Sequence, residues 1–188
     1  NGQVSQSVEV TGTNAAPVAN ADSQDIHWKQ TNVAVDVLAN DVDTDSDELT
    51  IVSATSSVTG ATVTISSSKK MINYTPSSGY TGTDTVTYKI TDGAVTVTGT
   101  AKIRVFNNAP TASAITQTKK WSEIPTTGLV IPVLGTSSVS DADGDSLTLT
   151  YSGVPSGMSV SVSGNNLVFK PSQGFVGPAS FDYSVSDG

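Results

Sequence analysis

Apolar residues fall on every second position through much of this chain. Val33, Val35 and Val37 alternate with Ala34 and Asp36, and Val86, Tyr88 and Ile90 with Thr87, Lys89 and Thr91. Ala101, Ile103 and Val105 alternate with Lys102 and Arg104. Shorter extended segments, Leu49–Val52, Ala61–Ile65 and Met71–Tyr74, are separated by Ser and Gly. Leu147–Tyr151, Met158–Val162, Leu167–Phe169 and the Phe181, Tyr183, Val185 series carry the same pattern later. A period of two sends successive side chains to opposite faces, the mark of a half-buried strand. About seven such strands per unit, with no helix to cover them, predict two sheets whose apolar faces cover one another.

The pattern occurs twice because the chain is duplicated. Asn14-Ala-Ala-Pro17 returns as Asn107-Asn-Ala-Pro110, and His27-Trp28 as Lys120-Trp121, both 93 residues on. The acidic run Asp43-Thr-Asp-Ser-Asp47 returns as Asp141-Ala-Asp-Gly-Asp145, 98 residues on. Tyr74-Thr-Pro-Ser-Ser-Gly-Tyr-Thr-Gly82 returns as Phe169-Lys-Pro-Ser-Gln-Gly-Phe-Val-Gly177, and Thr91-Asp-Gly93 as Ser186-Asp-Gly188, 95 residues on. Ordered landmarks with small changes of offset are what duplication followed by loop insertion produces. The expected fold is all-β: two tandem Ig-like, Greek-key β-sandwiches over residues 14–106 and 107–188. The matched aromatics Trp28 and Trp121, Tyr74 and Phe169, Tyr80 and Phe175 read as core or edge-of-core packing.

Composition narrows the function. Seventeen acidic residues against nine basic ones give a net charge of −8, and only 14% of residues are charged. A nucleic-acid partner needs a basic face, and none is visible. No apolar run approaches the roughly 20 residues that cross a bilayer, so no membrane insertion by this segment is expected. Zero cysteines remove disulfides, thiolate chemistry and cysteine-based zinc sites together. A single histidine, His27, is replaced by Lys120 in the second unit, and Glu9, Glu48 and Glu123 are scattered rather than paired. No nucleophile stands with a base and an orienting acid, so no catalytic residue is expected.

The acidic runs carry the candidate chemistry. In an Ig-like strand order the loop after Val33–Leu38 and the turn at Asp92 lie at the same end as the segment leading into the unit. Asp41, Asp43, Asp45, Asp47 and Asp92 are therefore expected to converge in the first unit. Asp141, Asp143, Asp145 and Asp187 converge near Asn107 and Asn108 in the second. Crowded carboxylates repel and lose hydration. A hard dication with oxygen ligands, calcium before magnesium, relieves both. The other reading is a solvated acidic loop without an ion. Neither run is an EF-hand loop, since the position-12 glutamate and flanking helices are missing.

These residues together resemble the cadherin-like repeat of about 95 residues found in bacterial surface and secreted proteins. The elements that match are Val37-Leu-Ala-Asn-Asp41, Asp43 to Thr50, Tyr74-Thr-Pro76, Gly79 to Tyr88 and Thr91-Asp-Gly93. Asn107-Asn-Ala-Pro110, and with it the matching Asn14, is similar to the calcium-binding linker of cadherins. The resemblance implies Ca2+ at the unit junctions, an extracellular or cell-surface location, neighbouring repeats of the same protein as partners, and service as a non-catalytic stalk or adhesion segment. Such repeats also accompany secreted polysaccharide-degrading enzymes, which leaves a polysaccharide- or receptor-binding accessory role as the alternative. The second unit departs from the first at Pro178-Ala179, where the first has Thr83-Asp84, so Asp84 is not expected in a shared site.

One expectation concerns the strand that closes each unit. Residues 94–106 supply it in the first unit, and the second is expected to lack it within this chain. Residues 1–13 align with it at the shift of 93, Val4, Val8 and Val10 matching Val97, Ala101 and Ile103. They are expected to be either the end of a preceding unit or a strand donated head to tail to a neighbouring chain.

Overall fold

Residues 3–9 and 11–188 are described by the structure, a computed structural model, as strands, turns and one short 3-10 helix. The chain divides into two compact units, residues 1–107 and 108–188.

Unit 1 contains β1 (Asp22–His27), β2 (Val33–Val35), β3 (Thr50–Ser56), β4 (Thr62–Ile65), β5 (Ile72–Thr75), β6 (Gly82–Thr91) and β7 (Thr96–Phe106). Its two sheets run β1-β7-β6-β3 and β2-β5-β4. Period-two burial is clearest on β6, where Asp84, Val86, Tyr88 and Ile90 are fully buried and Thr87 and Lys89 between them are exposed. The hairpin of β6 and β7 sets Val86 opposite Ala101 and Ile90 opposite Val97. From the other sheet, Val35, Ile72 and Tyr74 close over them to make one core. Each large aliphatic side chain so buried contributes about 1.5–3 kcal/mol.

The strand β1 escapes the sequence pattern. Its residues, Asp-Ser-Gln-Asp-Ile-His, offer one fully buried apolar side chain, Ile26. It is placed by parallel backbone pairing along β7, with Asp22 beside Ala101 and His27 beside Phe106. Backbone pairing of this kind needs little from the side chains of an edge strand.

Unit 2 contains β8 (Thr111–Ala112), β9 (Leu129–Pro132), β10 (Val139–Ser140), β11 (Thr148–Ser152), β12 (Ser159–Ser163), β13 (Asn166–Lys170) and β14 (Asp182–Ser186). The 3-10 helix spans Trp121–Glu123. Its sheets are β12-β13-β9, β11-β14 and β10-β8. The core of Val133, Val139, Leu149, Val160, Leu167 and Phe169 is smaller than that of unit 1.

The aromatic expectation holds in part. Tyr74 and Phe169 are core residues, and Trp28 and Tyr80 pack partly buried against the core of unit 1. Trp121 does not follow Trp28: it sits in the 3-10 helix and is 42% exposed. The reason is local. Trp28 follows directly on β1, whereas the matching residues 115–120 carry no strand.

Candidate metal centre

Both acidic runs fold into the same loop. In unit 1 the Oδ1 of Asp43 accepts the backbone N–H of Asp45 at 2.9 Å and of Asp47 at 3.1 Å. In unit 2 the Oδ1 of Asp141 accepts the N–H of Asp143 at 2.9 Å and of Asp145 at 3.1 Å. The fourth residue of each run is left-handed, Ser46 at φ 65° and Gly144 at φ 73°. That turn folds the loop back on its first carboxylate and is where glycine is favoured. Equal geometry at 98-residue spacing, from runs that share only their aspartates, identifies Asp-x-Asp-x-Asp as the element that builds the loop.

The second carboxylate of each run holds the segment leading into its unit. Asp45 Oδ2 accepts the N–H of Ala15 at 2.5 Å, and Asp143 Oδ2 accepts the N–H of Asn108 at 2.6 Å. Asn108 adds a side-chain bond, Nδ2 to Asp143 Oδ1 at 2.8 Å. Across unit 1, Asn14 Nδ2 donates to Asp92 Oδ2 at 3.0 Å, while Asp92 Oδ1 takes the N–H groups of Ala94 at 2.7 Å and Val95 at 2.6 Å. The Val95 N–H, then Asn14, hold the Asp92 carboxyl below the usual carboxylate range.

The structure thus brings Asn14, Asp43, Asp45, Asp47 and Asp92 to one end of unit 1, with carboxylate oxygens of Asp43, Asp45 and Asp47 within 4.8 Å of one another. Asn108, Asp141, Asp143 and Asp145 form the matching loop of unit 2, where oxygens of Asp143 and Asp145 lie equally close. Asp187, at the position of Asp92, is 9% exposed, and Asn107 falls in the body of unit 1.

Asp41 is held differently. Its Oδ1 accepts the N–H of Asn20 at 2.7 Å, and its Oδ2 lies 3.5 Å from the hydroxyl of Tyr88. That hydroxyl donates to Asp22 at 2.8 Å. Burial pushes the carboxyls of both Asp41 and Asp22 up from their ordinary values. This group ties the start of β1 to β6. Asp84, likewise, lies inside unit 1 rather than at its end, accepting bonds from Ser56, Ser57 and Tyr74. Neither network is signalled by spacing, because the partners come from strands far apart in sequence.

One feature tests the fit of a cation. Asp43 Oδ2 and Asp141 Oδ2 are shielded from solvent and accept no hydrogen bond. A buried carboxylate oxygen without a partner is costly, about 1–3 kcal/mol or more. Here it recurs at the same atom of the same loop in both units. Around Asp43 the grouped donors, Asp45 and Asp47, are all carboxylate oxygens, which suit a hard dication of flexible coordination, calcium's preference.

Comparison with solved structures returns loose likenesses. An endo-fucoidan hydrolase from glycoside hydrolase family 107 aligns over 91% of this chain at 23% identity and a TM-score of 0.37. The chain spans only 26% of that enzyme's length. The human protocadherin-24 EC1-2 pair aligns over 93% of this chain and 88% of its own, at 17% identity and a TM-score of 0.41. At these scores neither likeness bears on what the chain does. No curated protein matches it. The family model of the bacterial Ig domain, however, matches residues 14–104 and again 107–188, so the chain belongs to the bacterial Ig domain family as two tandem domains.

Proposed function

We propose that this chain is a non-catalytic extracellular structural segment, a stalk or adhesion element, whose domains each bind calcium where the chain enters them. The observation that carries the reading is the pair of orphaned buried oxygens, Asp43 Oδ2 and Asp141 Oδ2, in loops of equal geometry. Asp43, Asp45 and Asp47 would hold the ion in unit 1, with Asp92 and Asn14 beside them. Asp141, Asp143 and Asp145 would hold it in unit 2, with Asp187 and Asn108 as the remaining candidates. The same carboxylates bind the lead-in backbone at Ala15 and Asn108. Neutralising them therefore fixes the direction in which the chain enters each domain and stiffens the junction.

Extracellular calcium sites have dissociation constants of roughly 10⁻⁴–10⁻³ M. Millimolar calcium then adds about 1 kcal/mol per site, or about 4–8 °C for a domain of this size. Calorimetry with calcium and with chelator tests this. Asp43→Asn should remove the shift from unit 1 alone, and Asp141→Asn from unit 2 alone. Melting curves that ignore calcium would end the assignment.

A second reading, carbohydrate binding as an accessory to a secreted enzyme, draws on Trp121, which is 42% exposed. Glycan binding lost in Trp121→Ala, with the calcium response intact, would favour it.

A further inference from the structure

The outer face of the sheet β1-β7-β6-β3 carries the opposite charge to the chain as a whole. Between the buried residues of β6 stand Thr85, Thr87 and Lys89, and between those of β7 stand Thr98, Thr100, Lys102 and Arg104. Pairing sets Lys89 opposite Thr98, Thr87 opposite Thr100 and Thr85 opposite Lys102. The strand β3 extends two of these rows, with Ser53 beside Lys89 and Thr55 beside Thr87. The one carboxylate among the outward residues of the four strands is Asp25, which is tied to Arg104. Three basic residues against that one acid give the face a net charge of +2, on a chain of net charge −8.

The fold does not require these lysines. Threonine suits a strand by itself, whereas lysine is depleted there except where it guards an edge. Lys89 and Lys102 lie on β6 and β7, the two interior strands of the sheet, where there is no edge to guard. On β14 of unit 2 the position of Lys89 is taken by Ser184, with Asp182 and Ser186 as its outward neighbours. Both lysines are exposed, and among the described residues neither has an ion-pair partner. The hydroxyls of Thr87, Thr98 and Thr100 likewise make no bond within the protein.

We propose that this face binds an acidic polysaccharide, a chain of sugars carrying an anionic group at intervals. Lys89 and Arg104 stand six residues apart along the hairpin, about 20 Å at about 3.4 Å per residue, with Lys102 between them. That spread suits charges set along a chain rather than one small anion, and the complementary charge steers the chain to the face. Between the basic groups, threonine hydroxyls lie about 4.8 Å apart from strand to strand and about 6.8 Å apart along each strand. Each can donate to and accept from a sugar hydroxyl. Nucleic acid fits less well. The exposed residues of β3, β6 and β7 include no aromatic ring on which a base could stack, and an acidic chain repels a dense phosphate backbone. None of the candidate calcium ligands stands on this face, so binding here does not depend on the ion.

The test is titration calorimetry of the whole chain in chelator, with polygalacturonate, dextran sulfate and unmodified dextran as probes. Either acidic polymer should bind and unmodified dextran should not, with affinity falling about tenfold as salt rises from about 50 to about 200 mM. Lys89→Ala and Lys102→Ala should each weaken binding about tenfold, and the double variant about a hundredfold. Lys119→Ala/Lys170→Ala removes the same charge elsewhere and should leave binding unchanged. All four lysines are exposed, so thermal unfolding should show both domains of every variant folded. A chain that binds neither acidic polymer overturns the proposal. So does equal binding of unmodified dextran, an equal loss in Lys119→Ala/Lys170→Ala, or tighter binding of a DNA duplex or of phosphatidylglycerol vesicles.

Discussion

The buried carboxylate of Asp84 provides the sharpest quantitative test of how unit 1 is held together. Asp84 stands on β6 in one sheet and is 0% exposed. It accepts the hydroxyl of Tyr74 from the other sheet at 2.8 Å, the Oγ and N–H of Ser57 at 2.7 and 3.0 Å, and the Oγ of Ser56. Burial alone raises its pKa, but the bonds from Ser56, Ser57 and Tyr74 outweigh it and hold the carboxyl below its usual range. Unit 2 has Ala179 and Phe169 at the positions of Asp84 and Tyr74, so both partners are apolar together. Removing both members of a buried hydrogen bond is far cheaper than removing one. Asp84→Ala leaves the Tyr74 hydroxyl and the Ser57 N–H buried and unpaired, at about 1–3 kcal/mol each, and should cost about 3–5 kcal/mol. Tyr74→Phe removes one bond to a charged group and should cost about 2 kcal/mol. The double variant should cost about 1–2 kcal/mol less than the sum of the two. Calorimetry reads this in the transition of unit 1, with unit 2 as the internal reference. The pH dependence has a definite sign. A carboxyl whose folded pKa is depressed stabilises the fold above its unfolded value, near 3.9, and loses that contribution as pH falls through the folded value. The difference between wild type and Asp84→Ala should therefore be constant above about pH 5 and shrink below about pH 4. Additive costs, or a gap independent of acid, would refute the network.

Other expectations are briefer. Gly99→Ala places a methyl group against the Tyr88 ring and should cost unit 1 about 1–3 kcal/mol by overpacking, read as a lower melting temperature. Gly144→Ala puts a side chain at φ 73° and should cost unit 2 about 1 kcal/mol while weakening its calcium response in titration calorimetry. Arg104→Ala breaks an exposed pair with Asp25, 3.0 Å from Nε to Oδ1, and should leave the melting temperature unchanged, since such pairs contribute little.

Much of the molecule was legible in one dimension. Alternation along β6 and β7 follows from the pleat, which turns a half-buried strand into a period of two. The duplication, and the pairing of Asp43 with Asp141 that follows from it, needs only two matching stretches of sequence. The bonds that shape each loop are local, Asp43 and Asp141 accepting N–H groups two and four residues ahead, yet the sequence pointed only to the acidic run and not to this turn. Other features depended on chain segments meeting from afar. The β1 strand is defined by backbone bonds to β7, which leave almost no trace in its own side chains. Asp41 and Asp43 look alike in the sequence, yet Asp41 faces Tyr88, 47 residues on, and Asp43 does not. Asp84 could be set aside from the shared loop by comparing the units, but its tie to Tyr74 across the two sheets could not be read. Local pattern records which way a side chain points relative to its own strand. Which groups it then meets, and whether a buried oxygen or a sheet edge is left without a partner, is decided only when distant strands are brought together.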